Sequence, residues 1–133
     1  MNRLAITTGR LLLGLYFLLP GVTKITGYTA TADYMALHGI PLISVLLPIT
    51  IALQIGGGLA LMAGYLIKPV SLVLAALTLA INIGMHDFWV TYAGVDSSHE
   101  LQNFVKNLGI FAGLHVLSAT HQVDQWRLRQ PSH

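Results

Sequence analysis

The sequence predicts an all-α membrane protein: a four-transmembrane-helix antiparallel bundle with a short interfacial helix between spans one and two. Three observations predict it. Hydrophobic residues make up 54% of the 133 residues and charged residues only 9%, where an ordinary soluble domain is roughly a quarter charged. Four stretches reach the ~20 largely apolar residues that cross a hydrocarbon core. Segments such as LLLGLYFLLPG and SLVLAALTLAI are continuously apolar, whereas barrel strands alternate. A chain this short makes a single domain, residues 1–133. Seven Lys/Arg and five Asp/Glu cannot cover the large relative surface of a small soluble globule. Composition thus excludes a soluble enzyme and a disordered tail, and a net charge of +2 offers nothing to a nucleic acid. The absence of cysteine removes disulfides, thiolate metal sites and dithiol redox chemistry.

The spans are expected at about residues 4–26, 44–67, 69–90 and 100–121. The second contains no charge, and Pro69 is well placed as a first helical residue of the third. Gly64 to Pro69 is too short for anything but an antiparallel hairpin. The Ala-rich middle of YTATADYMALHGIPL predicts the interfacial helix, ended by Gly39 with Pro41 behind it. Ala30-Thr31-Ala32 resembles a signal-peptide cleavage site. Arg10 interrupts the apolar run and Lys24 precedes that site, so the first span is expected to be retained. Cytoplasmic loops carry the excess of Lys and Arg. Arg3, Arg10, Lys68, Arg127 and Arg129 on one side against Lys24 and Lys106 on the other place both termini in the cytoplasm of an inner (plasma) membrane protein.

Small residues recur every fourth position: Ala52, Gly56, Ala60 and Gly64; Ala76, Ala80 and Gly84; Gly109 and Gly113. Such ridges let helix backbones approach closely. Packing within one bundle is the first reading, in which Gly56→Leu would unfold the monomer; a homo-oligomer face is the second.

Polar residues inside the membrane carry what function is legible, because a charge near the bilayer centre costs roughly 2.5–3.5 kcal/mol and needs a partner or a task. They fall at two depths. In the outer half lie Lys24, Gln54, Asn82, His86, Trp89, Asn103, Lys106 and Asn107, the candidate ligand-binding residues, with Asp87 beside them. Asn82, His86 and Trp89 share one helix face, as do Asn103, Lys106 and Asn107. Either they only pin the helices together or they line a pocket open to the outer face. In the inner half Arg10 and His115 sit at similar depth. Arg10 either snorkels to lipid phosphate or turns inward toward His115, Thr7 or a bound group. No spaced metal-ligand motif is present; His38, His86 and His99 could at most meet at the outer rim. Tyr16, Tyr28, Phe88, Trp89, Tyr92 and Trp126 are placed mostly as interfacial-belt aromatics.

The segments GRLLLGLYFLLPGVTKITGY, TADYMALHGIP, LQIGGGLALMAGY, MHDFW and LQNFVKNLGIFAGL, in that order, resemble the DoxX family from about Arg3 to His121. The resemblance implies a small four-helix membrane protein, with Arg10, Lys24, Gln54, His86, Lys106 and Asn107 at matching polar positions. It also implies association with quinone-linked oxidation or with a membrane oxidoreductase partner, and quinone as the one cofactor; no settled catalytic role comes with those positions. Similar bundles outside the family use paired cysteines, which this chain lacks. With no electron carrier of its own, it is expected to be a subunit or binding protein surrounded by lipid rather than a stand-alone enzyme. In the redox reading Lys24, His86 and Lys106 hydrogen-bond a quinone carbonyl and Trp89 stacks on its ring. The alternatives are a non-redox small-molecule or lipid binding or transport protein, and a structural scaffold.

Overall fold

The computed structural model describes residues 2–92 and 94–119. It contains five helices: α1 (Asn2–Thr26), α2 (Tyr28–Leu37), α3 (Ile43–Ala63), α4 (Ile67–Met85) and α5 (Ser97–Ala119). Among the described residues there is no strand. The predicted end of the fourth span at His121, the belt residue Trp126 and the cytoplasmic Arg127 and Arg129 lie outside the described residues. Among the described residues, three helices are long and apolar enough to cross a membrane: Arg3–Thr26, Ile43–Ala63 and Ile67–Met85. α5 is as long, at 23 residues, but its first half carries Glu100, Gln102, Asn103, Lys106 and Asn107.

Burial is distributed as lipid demands. Arg10 and Asn82 are 0% and 1% exposed, while Leu4 and Leu12 are 66% and 62% exposed. A water-soluble bundle would invert that order, because exposed apolar surface is unfavourable in water. The apolar core is formed by Phe17, Leu61, Ile67, Leu74, Ala75, Leu114 and Leu117, around the end of the bundle where α3 turns into α4. The other end, which carries α2, holds most of the polar side chains.

The helix ends follow local chemistry. Gly39 ends α2 at φ +73, with the Ile40 N–H on the Met35 carbonyl, and Gly64 ends α3 at φ +75, with the Tyr65 N–H on the Ala60 carbonyl. Both are left-handed Schellman closures that favour glycine. Gly64 therefore stops α3 four residues before the expected end of span two. Pro69 is the third residue of α4, where its missing N–H would have had no helical partner. α4 also ends early, at Met85 rather than near residue 90. His86 leaves helical geometry, and the Asp87 carboxylate beyond it is held by His38 and Tyr92.

α1 packs antiparallel against α3, and α4 antiparallel against α5, as the two most extensive contacts. The first rests on glycine. A Cβ on Gly14 would stand 2.6 Å from the Gly58 carbonyl oxygen, and one on Gly58 would stand 2.6 Å from the Gly14 carbonyl oxygen. Gly21 lies equally close to the Ile55 side chain. The expected small-residue ridges do not make this contact. Ala52, Gly56, Ala76, Ala80 and Gly109 are exposed, and a Cβ on Gly56 or Gly109 would meet nothing within 4 Å. Packing within the bundle runs instead through Gly14, Gly21 and Gly58, because the face of α3 turned toward α1 is the one carrying Gln54, Gly58 and Leu61.

Gly58→Ala should therefore destabilise the protein by roughly 1–3 kcal/mol, the usual cost of overpacking. Gly56→Ala should be neutral or slightly stabilising, since alanine is the better helix former. Thermal unfolding of the two variants in detergent checks the contrast, and Gly56→Leu should likewise leave the monomer folded.

Candidate functional site

At the α2 end the four long helices and α2 converge on two adjoining cavities. The larger, about 470 Å³, is walled by Lys24, Tyr34, Met35, Leu47, Met85 and His86 among others. The smaller, about 120 Å³, lies among α1, α3, α4 and α5 and is lined by Tyr16, Lys24, Gln54, Thr78, His86 and Asn107 with three apolar neighbours. Lys24, Ile81 and His86 belong to both walls. The larger volume is that of a small-molecule site, which combines apolar walls with a few placed polar groups.

Lys24 comes from the last turn of α1. Among the described residues no carboxylate pairs with it: the ion pairs there join only histidines to Asp87 and Glu100. Gln54 is 5% exposed on α3, and its Oε1 has no hydrogen-bond partner among the described residues. A buried amide oxygen without a donor costs free energy unless something supplies one. The two groups differ in kind, one a cationic donor and the other a neutral acceptor.

Behind His86 lies a hydrogen-bonded network. The Glu100 carboxylate, on the first turn of α5, accepts the Tyr34 hydroxyl at 2.7 Å and faces His86 Nδ1 at 3.3 Å. The Asp87 carboxylate accepts the Tyr92 hydroxyl at 2.6 Å and faces His38 Nδ1 at 2.8 Å. The His38 side chain is fully buried between the rings of Tyr34 and Tyr92, with its Nε2 3.9 Å from Glu100 Oε2. Burial pushes the His86 ring below its ordinary value near 6.5, although Glu100 pulls it up. Partial burial raises the Asp87 carboxyl, but the bonds from Tyr92 and His38 outweigh that and hold it below the usual carboxylate range. Burial and the bond to Glu100 raise the Tyr34 phenol.

Of the eight residues expected to bind a ligand, Lys24, Gln54, His86 and Asn107 line the cavities. The other four do not. Asn82 is buried beside them and donates to the Phe104 carbonyl at 3.0 Å, tying α4 to α5. Trp89 is 57% exposed and packs edge-on against Phe88 and Phe104, so no ligand ring can stack between it and the cavity. Asn103 is half-buried, and Lys106 is exposed with its ammonium 6.0 Å over the Tyr16 ring. Tyr16 donates to Asn107 Oδ1 at 2.9 Å.

At the other end, Arg10 and His115 are not brought together as a pair. Arg10 is wholly buried and donates from Nη1 to the Leu61 carbonyl at 2.8 Å, so it does not snorkel to the interface. His115 faces outward and bonds the Phe111 carbonyl of its own helix. The last-turn carbonyls of α3 form the negative end of that helix and draw a cation more strongly than a ring that can stay neutral. The Tyr34–His38–Asp87–Tyr92–Glu100 network had one sequence signal: Tyr34 and His38 stand four residues apart on one face of α2. Among the described residues no group of three or more His, Asp and Glu is arranged to hold a metal ion.

The class defined here is a helical membrane protein with its polar side chains drawn inward and a cavity at one end. DoxX is the family that matches, over residues 5–87, and the chain belongs to it. Among curated proteins it is similar to the inner membrane protein YqjF of Escherichia coli (strain K12), 35% identical over 120 residues that cover 90% of this chain and 86% of that protein. It is also similar to the inner membrane protein YphA of the same strain, 24% identical over 111 residues covering 84% and 79% of the two chains. No solved structure gives a significant match.

The lowered His86 value has a definite sign. A ring kept neutral by folding contributes stability above its ordinary value of 6.5 and loses that contribution as pH falls below it. Thermal stability in detergent should thus decline as pH falls from about 6.5 to about 5, and less steeply in His86→Gln.

Proposed function

We propose that this chain is an inner membrane protein that acts as an accessory subunit or partner of a membrane oxidoreductase and holds a quinone or similar small amphipathic molecule in the cavity at its α2 end. The observation that carries this reading is that Lys24, with no carboxylate beside it among the described residues, and Gln54 Oε1, with no donor among them, line the same small cavity, which adjoins the larger one. A quinone carbonyl or quinol oxygen accepts from the ammonium, and a quinol hydroxyl donates to the amide oxygen. The ring lies against Met35, Leu47, Ile81 and Met85. Electrons pass through the partner, since the sequence supplies no cysteine. The names of the two curated relatives support an inner-membrane location. The distribution of Lys and Arg supports cytoplasmic termini, with α5 as the fourth span and the cavity in the periplasmic leaflet.

One observation favours the scaffold reading. Tyr16 with Asn107, and Asn82 with the Phe104 carbonyl, already satisfy one another as interhelical bonds. Binding of a short-chain quinone to the full-length protein in detergent separates the two. Binding should saturate at one site. Lys24→Met should weaken it about tenfold or more, the worth of a charge-assisted hydrogen bond, while leaving the helical signal intact. Failure of the wild-type protein to bind any quinone would sink the proposal. Tighter binding of a fatty acid or phospholipid would replace it with the non-redox alternative.

A further inference from the structure

The contact between His38 and Glu100 joins two hydrogen-bond acceptors. Glu100 accepts from Tyr34 and faces His86 Nδ1, and Asp87 accepts from Tyr92 and faces His38 Nδ1. An ionised carboxylate has no proton to give. With its proton on Nδ1 toward Asp87, His38 presents only a lone pair at Nε2. That nitrogen is buried with no hydrogen-bond partner among the described residues, 3.9 Å from Glu100 Oε2. Two acceptors held face to face out of water are unfavourable as they stand, and a single proton between them turns the contact into a hydrogen bond. The surroundings are built to admit that proton from either direction. On one side His86, which contacts Glu100, lines both cavities. On the other, Tyr92 and Asp87 lie where α4 has already ended and the chain has entered the rim loop.

We infer that Glu100 is the proton-exchanging group of the cavity, reached from the ligand through His86 and from the aqueous rim through Asp87 and His38. The inference rests on the ligand reading above and assigns the site its proton traffic. A quinol hydroxyl gives its proton to His86 Nε2 while the Nδ1 proton passes to Glu100. The quinol oxygen keeps the electron pair and rests as an anion on the Lys24 ammonium. Protonated Glu100 then donates to His38 Nε2, the His38 Nδ1 proton passes to Asp87, and Asp87 releases it to water. One proton leaves the ligand and one reaches the solvent. Each imidazole is left with its proton on Nε2, and the return of that proton to Nδ1 by exchange is the step that resets the relay. The titratable groups facing Glu100 are Tyr34 and His38 of α2 and His86 at the end of α4; Asp87 and Tyr92 lie beyond His38, Lys106 of α5 acts on His86, and Lys24 of α1 faces the cavity. The lowered value of His86 fits a ring that receives a proton only to hand it on.

The test uses full-length protein in weakly buffered detergent solution and 2-heptyl-4-hydroxyquinoline N-oxide, a quinol analogue whose hydroxyl ionises. Saturating each variant with the probe, a pH-sensitive dye should report about one proton released per probe bound to the wild type. Glu100→Gln should release none and lose the pH dependence of binding, and Glu100→Asp should restore part of both. His38→Asn, the variant least exposed to a folding defect at Glu100, should release the proton at least about tenfold more slowly in stopped flow. Wild-type release by Glu100→Gln, or wild-type kinetics in His38→Asn, would overturn the relay while leaving the ligand reading intact. If the wild type binds no probe at all, the ligand reading fails, and the relay is judged on the free protein by nitrogen NMR of its histidines. The titration of His86, which Glu100 pulls up, should move in Glu100→Gln, and the His38 ring signals should change with it; identical spectra across the pH range in both proteins would overturn it.

Discussion

The contact between α1 and α3 is the constraint on which the rest of this bundle depends. In lipid there is no hydrophobic drive to bring one apolar helix to another, since acyl chains solvate leucine as well as leucine does. What holds two helices is close van der Waals approach and satisfied polar groups. Gly14 and Gly58 supply the first, each lacking the Cβ that would strike the other's carbonyl. Arg10 supplies the second by crossing from α1 to the Leu61 carbonyl, near the end of α3. A wholly buried guanidinium is expensive unless its donors are used. Placed at the last turn of α3, it meets a carbonyl that accepts from Gly64 N–H at 3.1 Å and takes the guanidinium on its second lone pair. One glycine pair and one arginine thereby set how α1 lies on α3, and so how Lys24 and Gln54 come to line one small cavity farther along the same two helices.

The α4–α5 pair is organised by a different chemistry. Its bonds are from the Asn82 side chain to the Phe104 carbonyl and between His86 and Glu100, both toward the α2 end. α2 makes few contacts with α1 and α3. It is tied across the rim by Tyr34 to Glu100 and by His38 to Asp87. The short helix thus closes one wall of the larger cavity, and one of its lining residues there, Tyr34, has its hydroxyl in the network. Cavity shape and network protonation are linked physically, because Tyr34 and His86 belong to both.

How much of this was legible in the sequence differs by element. The helices were, because long apolar runs admit no other backbone in lipid. So were the stop at Gly39 and the hairpin at Gly64, where backbone geometry calls for glycine. The direction of the glycine ridges was not. Gly56 and Gly58 are two residues apart and carry the same local signal, and only the rotation of α3 against α1 puts one on the outside and the other in the contact. The position of Arg10 was open for the same reason: its depth was readable, its facing was not. Gln54 and Lys24 could be singled out because each is polar within a span. Tyr34, His38 and Tyr92 could not, since they lie in the rim, where tyrosine and histidine are ordinary, and their meeting with Glu100 joins residues as many as 66 apart in sequence.

The rim also bears on what this site can do chemically. Its groups are phenols, imidazoles, carboxylates and an ammonium, each of which moves or stabilises a proton near neutral pH, while the sequence has no thiol to carry electrons. Redox chemistry on a quinone needs both, because charge accumulates on the ring oxygens unless protons follow the electrons. A membrane partner that takes the electrons would still need a route by which protons leave a cavity walled by methionine and leucine. Asp87 suits the far end of such a route, because Tyr92 and His38 hold its carboxyl low and it therefore gives up a proton readily to water. His86 suits the near end, because burial keeps its ring neutral and so leaves it a lone pair. Proton affinity falls from His86 to Asp87, so a proton reaching Asp87 is not held there, and its loss to bulk water at the wet rim is what completes the transfer.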